Sequence, residues 1–470
     1  MSLQQVATWL DQAQPMGLDA ALPVAISRVH TDTRTLQAGD LFVALRGERF
    51  DANTFLAQAQ AKGAVAAICQ GDGAAAQLAH AGLPGLVVPD ARLALAQLAT
   101  RYRAQFTLPL VAVTGSNGKT TVTQMIASIL RAHRGDAALA TQGNLNNDIG
   151  VPLTVLRLTP AHRIAVVELG MNHPGEIATL AAIAQPTVAL VNNAQREHLE
   201  FMQTVEAVAR ENGAVISALP ADGVAVFPVD DAYSAIWSAL AGARAVLRFA
   251  AEPQADAQVF ARQATWTDAA WQVAAATPAG ELRYTLRIAG AHNVKNSLAA
   301  VACALAAGVP LEAISAGLSA FEPVTGRSRA LQVTHQGRTL TVVDDTYNAN
   351  PDSVRAAIDV LAALPGPRLL VLGDMGEVGD KGPHFHAEAL THAAEKNIEN
   401  VLVTGVQSGQ AAMKFDNVKA YAEMQDLQTA VAAVLPGVAS VLVKGSRFMK
   451  MERVVDSIVA AAQDSRAATC

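Results

Sequence analysis

Cysteine is scarce in this chain: three occur in 470 residues, Cys69, Cys303 and Cys470, and no two form a C-x-x-C pair. That spacing suggests neither a disulfide framework nor a zinc site, and it fits a reducing cytoplasm. Charge is scarce as well, with 16% charged against 51% hydrophobic residues and a formal net charge of −6. Such a balance excludes a disordered chain, and the mild negative excess argues against a nucleic-acid footprint. The stretch from Met1 to Gln14 lacks a basic segment followed by an apolar one, and the alanine-rich run from Leu298 to Val309 stops at Pro310, too short to span a bilayer. The expectation is a soluble, cytoplasmic, unprocessed protein without membrane insertion, monomeric by default, whose partners are small molecules. At 470 residues one hydrophobic core is not enough, and three domains are expected.

The most informative stretch runs from Leu108 to Thr121, LPLVAVTGSNGKTT. An apolar strand leads into a glycine turn and then into a helix with Val122, Ile126, Ile129 and Leu130 on one face. Gly115 and Gly118 let backbone N–H groups approach an anion, the helix start offers its positive end, Lys119 adds a point charge and Thr120 can hold Mg²⁺. Thr114, Asn117 and Thr121 complete this phosphate cradle. Position 113, where the longer P-loop pattern has a glycine, is Val113, so the match is to the shorter G-x-x-G-K-T form.

Around this turn the chain divides into three segments. Residues 1–106 read as a small mixed domain whose polar stretch Thr31-Asp32-Thr33-Arg34 has the residue types to hold a phosphate or sugar, though in isolation a solvated turn is the better reading. Residues 107–324 alternate strand and helix patterns, which predicts a mostly parallel sheet with ligands gathered at the carboxyl ends of its strands. There lie Glu168, inside the apolar run Ala165–Leu169 where an unpaired carboxylate is costly, and His198; together they offer oxygen and nitrogen to a divalent ion, a salt bridge for Glu168 being the competing reading. The asparagine-rich loop 141–152 carries Asn144 and Asn147, and the segment 282–288 suggests an antiparallel hairpin appended to the sheet. Asn293 and Asn296 share a helix face and offer the donors and acceptors that an adenine edge needs. Residues 325–470 repeat the alternation, so a second doubly wound domain with its functional edge toward the first is expected.

Taken together, the Thr31–Arg34 loop, Thr114 to Thr121, Gly143 to Pro152, Glu168-Leu169-Gly170-Met171, His292 to Asn296 and Gly326-Arg327 resemble the Mur ligases of peptidoglycan precursor synthesis across nearly the whole chain. The stretches 345–353 and 372–377, with Lys444 to Arg447, are most similar to the branch that adds a dipeptide. The resemblance implies three α/β domains: 1–106 for the UDP-linked substrate, 107–324 a P-loop domain for ATP, and 325–470 a Rossmann-like domain that closes over ATP and takes the dipeptide. It implies an ATP- and Mg²⁺-dependent amide ligase joining D-alanyl-D-alanine to UDP-N-acetylmuramoyl-tripeptide through an acyl phosphate. Lys119 and Arg327 would then meet the phosphates, Thr120, Glu168 and His198 the metal, Asn293, Asn296 and Asp345 the nucleotide, and Asn348 and Asn350 the dipeptide. Competing readings are a sister Mur or folylpolyglutamate-type amide ligase, or a nucleotide-binding protein without catalysis.

Two departures from the family pattern stand out. Asn212 occupies the place of a lysine that many members carbamylate to bind a second Mg²⁺; a direct carboxylate is the expected substitute, Glu211 first and Glu197 second. In the first domain Asp51-Ala52-Asn53 replaces an Asp-Gly-His that could contact the uridine.

Overall fold

The computed structural model describes residues 1–467 except 20–21, 48–49 and 268–269; Cys470 lies outside the described residues. Three large sheets organise the described residues, beside a two-stranded ribbon of Arg46–Gly47 and Phe50–Asp51. The first holds five strands in the order Gln14–Met16, Gly85–Val88, Ala66–Gln70, Asp40–Val43, Arg28–His30. The second holds nine and the third six, the latter running Arg329–His335, Arg338–Asp345, Ser440–Lys444, Arg368–Gly373, Asn400–Thr404, Val418–Tyr421. Each is the frame of one lobe, and the expected α/β class is what the sheets and their covering helices form.

In the second sheet the strand Leu110–Thr114 is interior, parallel to Ile164–Glu168 on one side and Val188–Val191 on the other. All five of its residues are buried, as a strand covered on both faces requires, and its continuous apolar run is the sequence signature of that position. The far edge is antiparallel: Val259–Thr267, Ala270–Thr277 and Gly280–Leu286 form a meander, one strand more than the expected hairpin. In the third lobe only Arg329–His335 runs antiparallel.

The first and second lobes share a core. The helix Ala91–Arg103 buries Ala94, Leu95 and Leu98 in one apolar cluster that extends from Leu3 to Ala241. At its end the Arg103 guanidinium, 3% exposed, donates to the carbonyls of Phe106, Leu108, Ala184 and Gln185, so the chain crosses between lobes through a satisfied buried charge. Among the described residues no helix is long and apolar enough to cross a membrane.

Candidate active site

The carboxyl end of Leu110–Thr114 opens into a turn with Gly115 at φ +132° and Gly118 at φ +80°, after which the helix Lys119–Arg134 begins. A Cβ on Gly118 would sit 2.8 Å from Asn296 Oδ1 and 2.9 Å from Asn192 Nδ2, so both conformation and space demand glycine. The turn forms one wall of a cavity of about 1030 Å³ that also reaches the third lobe.

Of the residues expected to bind nucleotide, Asn117, Gly118, Lys119, Thr120 and Thr121 line this cavity. Thr114 and Gly115 lie behind it: the Thr114 hydroxyl (2.6 Å) and the Gly115 N–H (3.1 Å) both donate to Oδ1 of Asn212. Asn212, fully buried on the helix Val205–Ser217, therefore buttresses the turn from the rear. Lys119 Nζ donates to the carbonyls of Gly115 and Ser116 and pairs with Glu197 Oε1 at 2.7 Å. Burial opposes charge on Glu197, but Lys119 and His198 outweigh it and hold the carboxyl below its usual range.

Glu168, 1% exposed, accepts at Oε1 from the Asn146 amide at 2.7 Å and the Thr120 hydroxyl at 3.1 Å, while its Oε2 is buried without a partner. A carboxylate oxygen left so beside an open cavity suits a hard cation, and Thr120 and Glu168 fit Mg²⁺. No three His, Cys, Asp or Glu among the described residues converge as a ready cage. Mg²⁺ commonly takes only one or two protein ligands and completes its shell with phosphate oxygens and water.

One metal expectation, Glu211, needs correction. Glu211 does not reach the cavity: its Oε2 accepts from Gly175 N–H at 2.9 Å and its Oε1 from Ile177 N–H at 2.8 Å, at the start of the helix Glu176–Ala184. Orphan donors and a positive helix end there claim the carboxylate. His198 lines the cavity but turns both nitrogens to carboxylates, Nε2 to Glu197 at 3.2 Å and Nδ1 to Glu377 of the third lobe at 2.6 Å. Burial would lower its pKa, yet the two carboxylates prevail and push it up to about 9.

Asn293 and Asn296 are on the wall, but their amides are largely committed: Asn296 Nδ2 donates to Asn293 Oδ1, and Asn296 Oδ1 accepts from Asn192. Asn144 and Asn147 line the cavity, and Asn147 Oδ1 also accepts the N–H groups of Ile149 and Gly150. From the third lobe come Arg327, whose Nη2 donates to Thr120 Oγ1 at 3.2 Å and whose guanidinium carbon lies 3.9 Å from the Tyr347 ring centroid, and Asp345, paired with Lys444 at 2.6 Å. Asn348 is there too, and Asn350 donates to Asn117 Oδ1 at 2.9 Å. The four residues Thr31, Asp32, Thr33 and Arg34 are elsewhere; Asp32 and Arg34 pair with each other on the surface of the first lobe, and the Arg34 hydrogen bonds bring the Asp32 carboxyl down to about 2. The first lobe contributes a residue that the sequence reading missed, Arg92, which pairs with Asp148 at 3.0 Å. Its signal was slight: a basic residue two places after the helix cap Asp90.

The sequence matches the Mur ligase middle domain over residues 113–304, the glutamate ligase domain of Mur ligases over 329–447, and the catalytic domain of the Mur ligase family over 25–103. It is 40% identical over 437 residues, 93% of this chain and 94% of the other, to the UDP-N-acetylmuramoyl-tripeptide–D-alanyl-D-alanine ligase of Escherichia coli K12. The chain belongs to the Mur ligase family. Among solved Mur ligases, MurF of Acinetobacter baumannii superposes with a TM-score of 0.86 at 34% identity, covering 97% of this chain and 98% of that one. MurF of Thermotoga maritima, solved in complex with ADP, gives 0.80 at 25% identity, with 93% and 98% covered.

Proposed function

We propose that this chain is an ATP-dependent, ADP-forming ligase that joins D-alanyl-D-alanine to UDP-N-acetylmuramoyl-tripeptide in cytoplasmic peptidoglycan precursor synthesis. The observation that carries the reading is a single cavity bounded by the phosphate turn, the half-partnered Glu168 and the third-lobe residues Arg327, Asn348 and Asn350. Close similarity to ligases of that activity over nine-tenths of the chain supports the choice of substrates.

A carboxylate does not acylate an amine unaided, because oxide is a poor leaving group. An oxygen of the tripeptide's terminal carboxylate attacks the terminal phosphorus of ATP, the bond to the bridging oxygen breaks, and ADP leaves. The dipeptide amine then attacks the acyl carbon, the tetrahedral intermediate collapses, and phosphate departs as the amine proton is lost. The dipeptide's α-amino group has an ordinary pKa of about 7.7–8.0, so little help is needed to present it neutral.

The chain's part is to hold and neutralise charge. Lys119 exchanges Glu197 for phosphate oxygens, and the N–H groups of the turn and helix start face the same anion. Mg²⁺, held by Thr120 and Glu168, would draw charge from the phosphates. Arg327 adds a second cation from the third lobe, and the nucleotide base lies toward Asn293 and Asn296 with Asp345 at the lobe junction. We assign the uridine end to residues 1–106, ATP to 107–324, and closure with dipeptide binding through Asn348 and Asn350 to 325–470; Asn144 and Asn147 accompany the peptide. The protein acts as a monomer in this scheme.

The test is phosphate release from ATP and Mg²⁺ with the UDP-linked tripeptide, with and without D-alanyl-D-alanine. Release that requires the dipeptide, with pentapeptide product by mass, is expected. Release only with glutamate or diaminopimelate as acceptor would make the chain a sister ligase, and no release in any mixture would make it a non-catalytic nucleotide-binding protein.

A further inference from the structure

The loop between the strand Val188–Val191 and the helix Leu199–Met202 touches two lobes at once. On one side it is tied to the phosphate turn. The N–H of Ser116 donates to the Asn193 carbonyl at 3.1 Å, the N–H of Asn117 to Asn193 Oδ1 at 2.9 Å, and Asn117 Nδ2 to Gln195 Oε1 at 2.6 Å. On the other side is Arg196, gripped by two carboxylates of the third lobe. Its Nε and Nη2 donate to Asp352 Oδ1 at 3.0 and 2.6 Å, and its Nη1 and Nη2 to Glu388 Oε2 and Oε1 at 2.8 and 2.9 Å. Asp352 Oδ2 also accepts the backbone N–H of Arg196 at 2.8 Å, so one carboxylate fixes both the side chain and the path of the loop.

Several features set this contact apart from an ordinary surface ion pair, which contributes little. The guanidinium is only 26% exposed and lies 5.5 Å from the Phe385 ring centroid. The fork of a guanidinium serves two carboxylates at once, which an ammonium does not. Arg355 steadies Glu388 at 3.2 Å, and the Arg196 hydrogen bonds hold the Glu388 carboxyl below its usual range. Position matters most. Asp352 lies in the first turn of the helix Pro351–Ala362, whose cap is Asn350, and the residues after Arg196 are Glu197, paired with Lys119, and His198, paired with Glu377.

We propose that Arg196, held by Asp352 and Glu388, is a positioning residue that locks the third lobe onto the phosphate turn and so brings the dipeptide-binding loop Asn348–Asp352 into register with the acyl phosphate. Arg196 touches no reacting atom; it acts through the loop on one side and the helix start on the other. The second half-reaction depends on this register for the whole dipeptide-binding loop, whereas phosphoryl transfer to the tripeptide uses Lys119, Thr120 and Glu168 of the second lobe and takes one cation, Arg327, from the third. The inference rests on the ligase reading given above.

The test uses the full chain and the variants Arg196→Lys, Glu388→Gln and the double variant. Three readouts apply: small-angle X-ray scattering without substrates, acyl phosphate trapped by hydroxylamine in the absence of dipeptide, and KM and kcat for the dipeptide. Expected are a larger radius of gyration in each variant, trapping within threefold of the parent, a dipeptide KM raised at least tenfold, and a double variant no worse than the poorer single one. Parent-like scattering and dipeptide KM in both single variants would overturn the proposal. So would losses that add in the double variant and fall equally on both half-reactions, since a merely structural ion pair behaves that way. If the parent itself fails to ligate, the ligase reading falls, and the scattering of the variants still decides whether the clamp holds the lobes.

Discussion

The phosphate turn and the loop 192–198 carry similar densities of functional groups, yet they are built in opposite ways. The turn is local: a buried strand, two glycines at positive φ and a helix start, all between residues 110 and 121. The loop draws its meaning from afar. Glu197 meets Lys119 across 78 residues, and Arg196 meets Asp352 across 156 and Glu388 across 192. A site made by local rules tolerates little change within itself, while one assembled from two lobes fails by losing alignment.

Lys119→Ala should break the local half most severely. It removes the point charge that faces the phosphates and leaves Glu197 buried without its ammonium. Loss of one such preorganised group typically lowers turnover by about a hundred- to a thousandfold, and phosphate release would read it. A loss below tenfold would mean that the turn is not the phosphate site.

Gly118→Ala should have the next largest effect. The left-handed backbone costs an ordinary residue about 1–2 kcal/mol, and the added Cβ would also press on Asn296 and Asn192. Since about 1.4 kcal/mol is tenfold in affinity, the KM for ATP should rise about tenfold or more. Gly143→Ala is the control: at φ +58° it carries the backbone cost, but nothing lies within 4 Å of the added carbon. Equal effects of the two on ATP would show that the close approach at Gly118 is immaterial.

These contrasts also explain what the sequence disclosed. The strand cores around Val111 to Val113 and Val166 were legible because continuous apolar runs leave few other places to go. The turn was legible because its residue types and order are themselves the geometry. Arg92, Asn146 and the partners of Arg196 were not singled out, since no periodicity tells which distant polar residue will face which. Asn212 shows the limit most clearly. Its place in the chain suggested a missing metal group, whereas the fold uses its carbonyl oxygen as a prop under Thr114 and Gly115 and leaves its amide nitrogen buried without a partner.

The smallest expected effect concerns Glu211, and it bears on the same distinction. By its place next to Asn212 in the sequence Glu211 comes ahead of Glu197 as a metal group, but sequence does not tell which way each points. Glu211 accepts two N–H groups at a helix start; Glu197, 7% exposed, keeps one oxygen on Lys119 and the other buried without a partner on the cavity wall. Glu211→Gln keeps one acceptor and removes the negative charge from the helix start, worth about 0.3–1 kcal/mol with a further ~1 kcal/mol for the lost acceptor. The Tm should fall by about 2–4 °C while turnover and the Mg²⁺ concentration for half-maximal activity stay unchanged. A shifted Mg²⁺ requirement with an unchanged Tm would return Glu211 to the metal, because loss of a helix cap alone lowers stability without altering the demand for a cation some distance away.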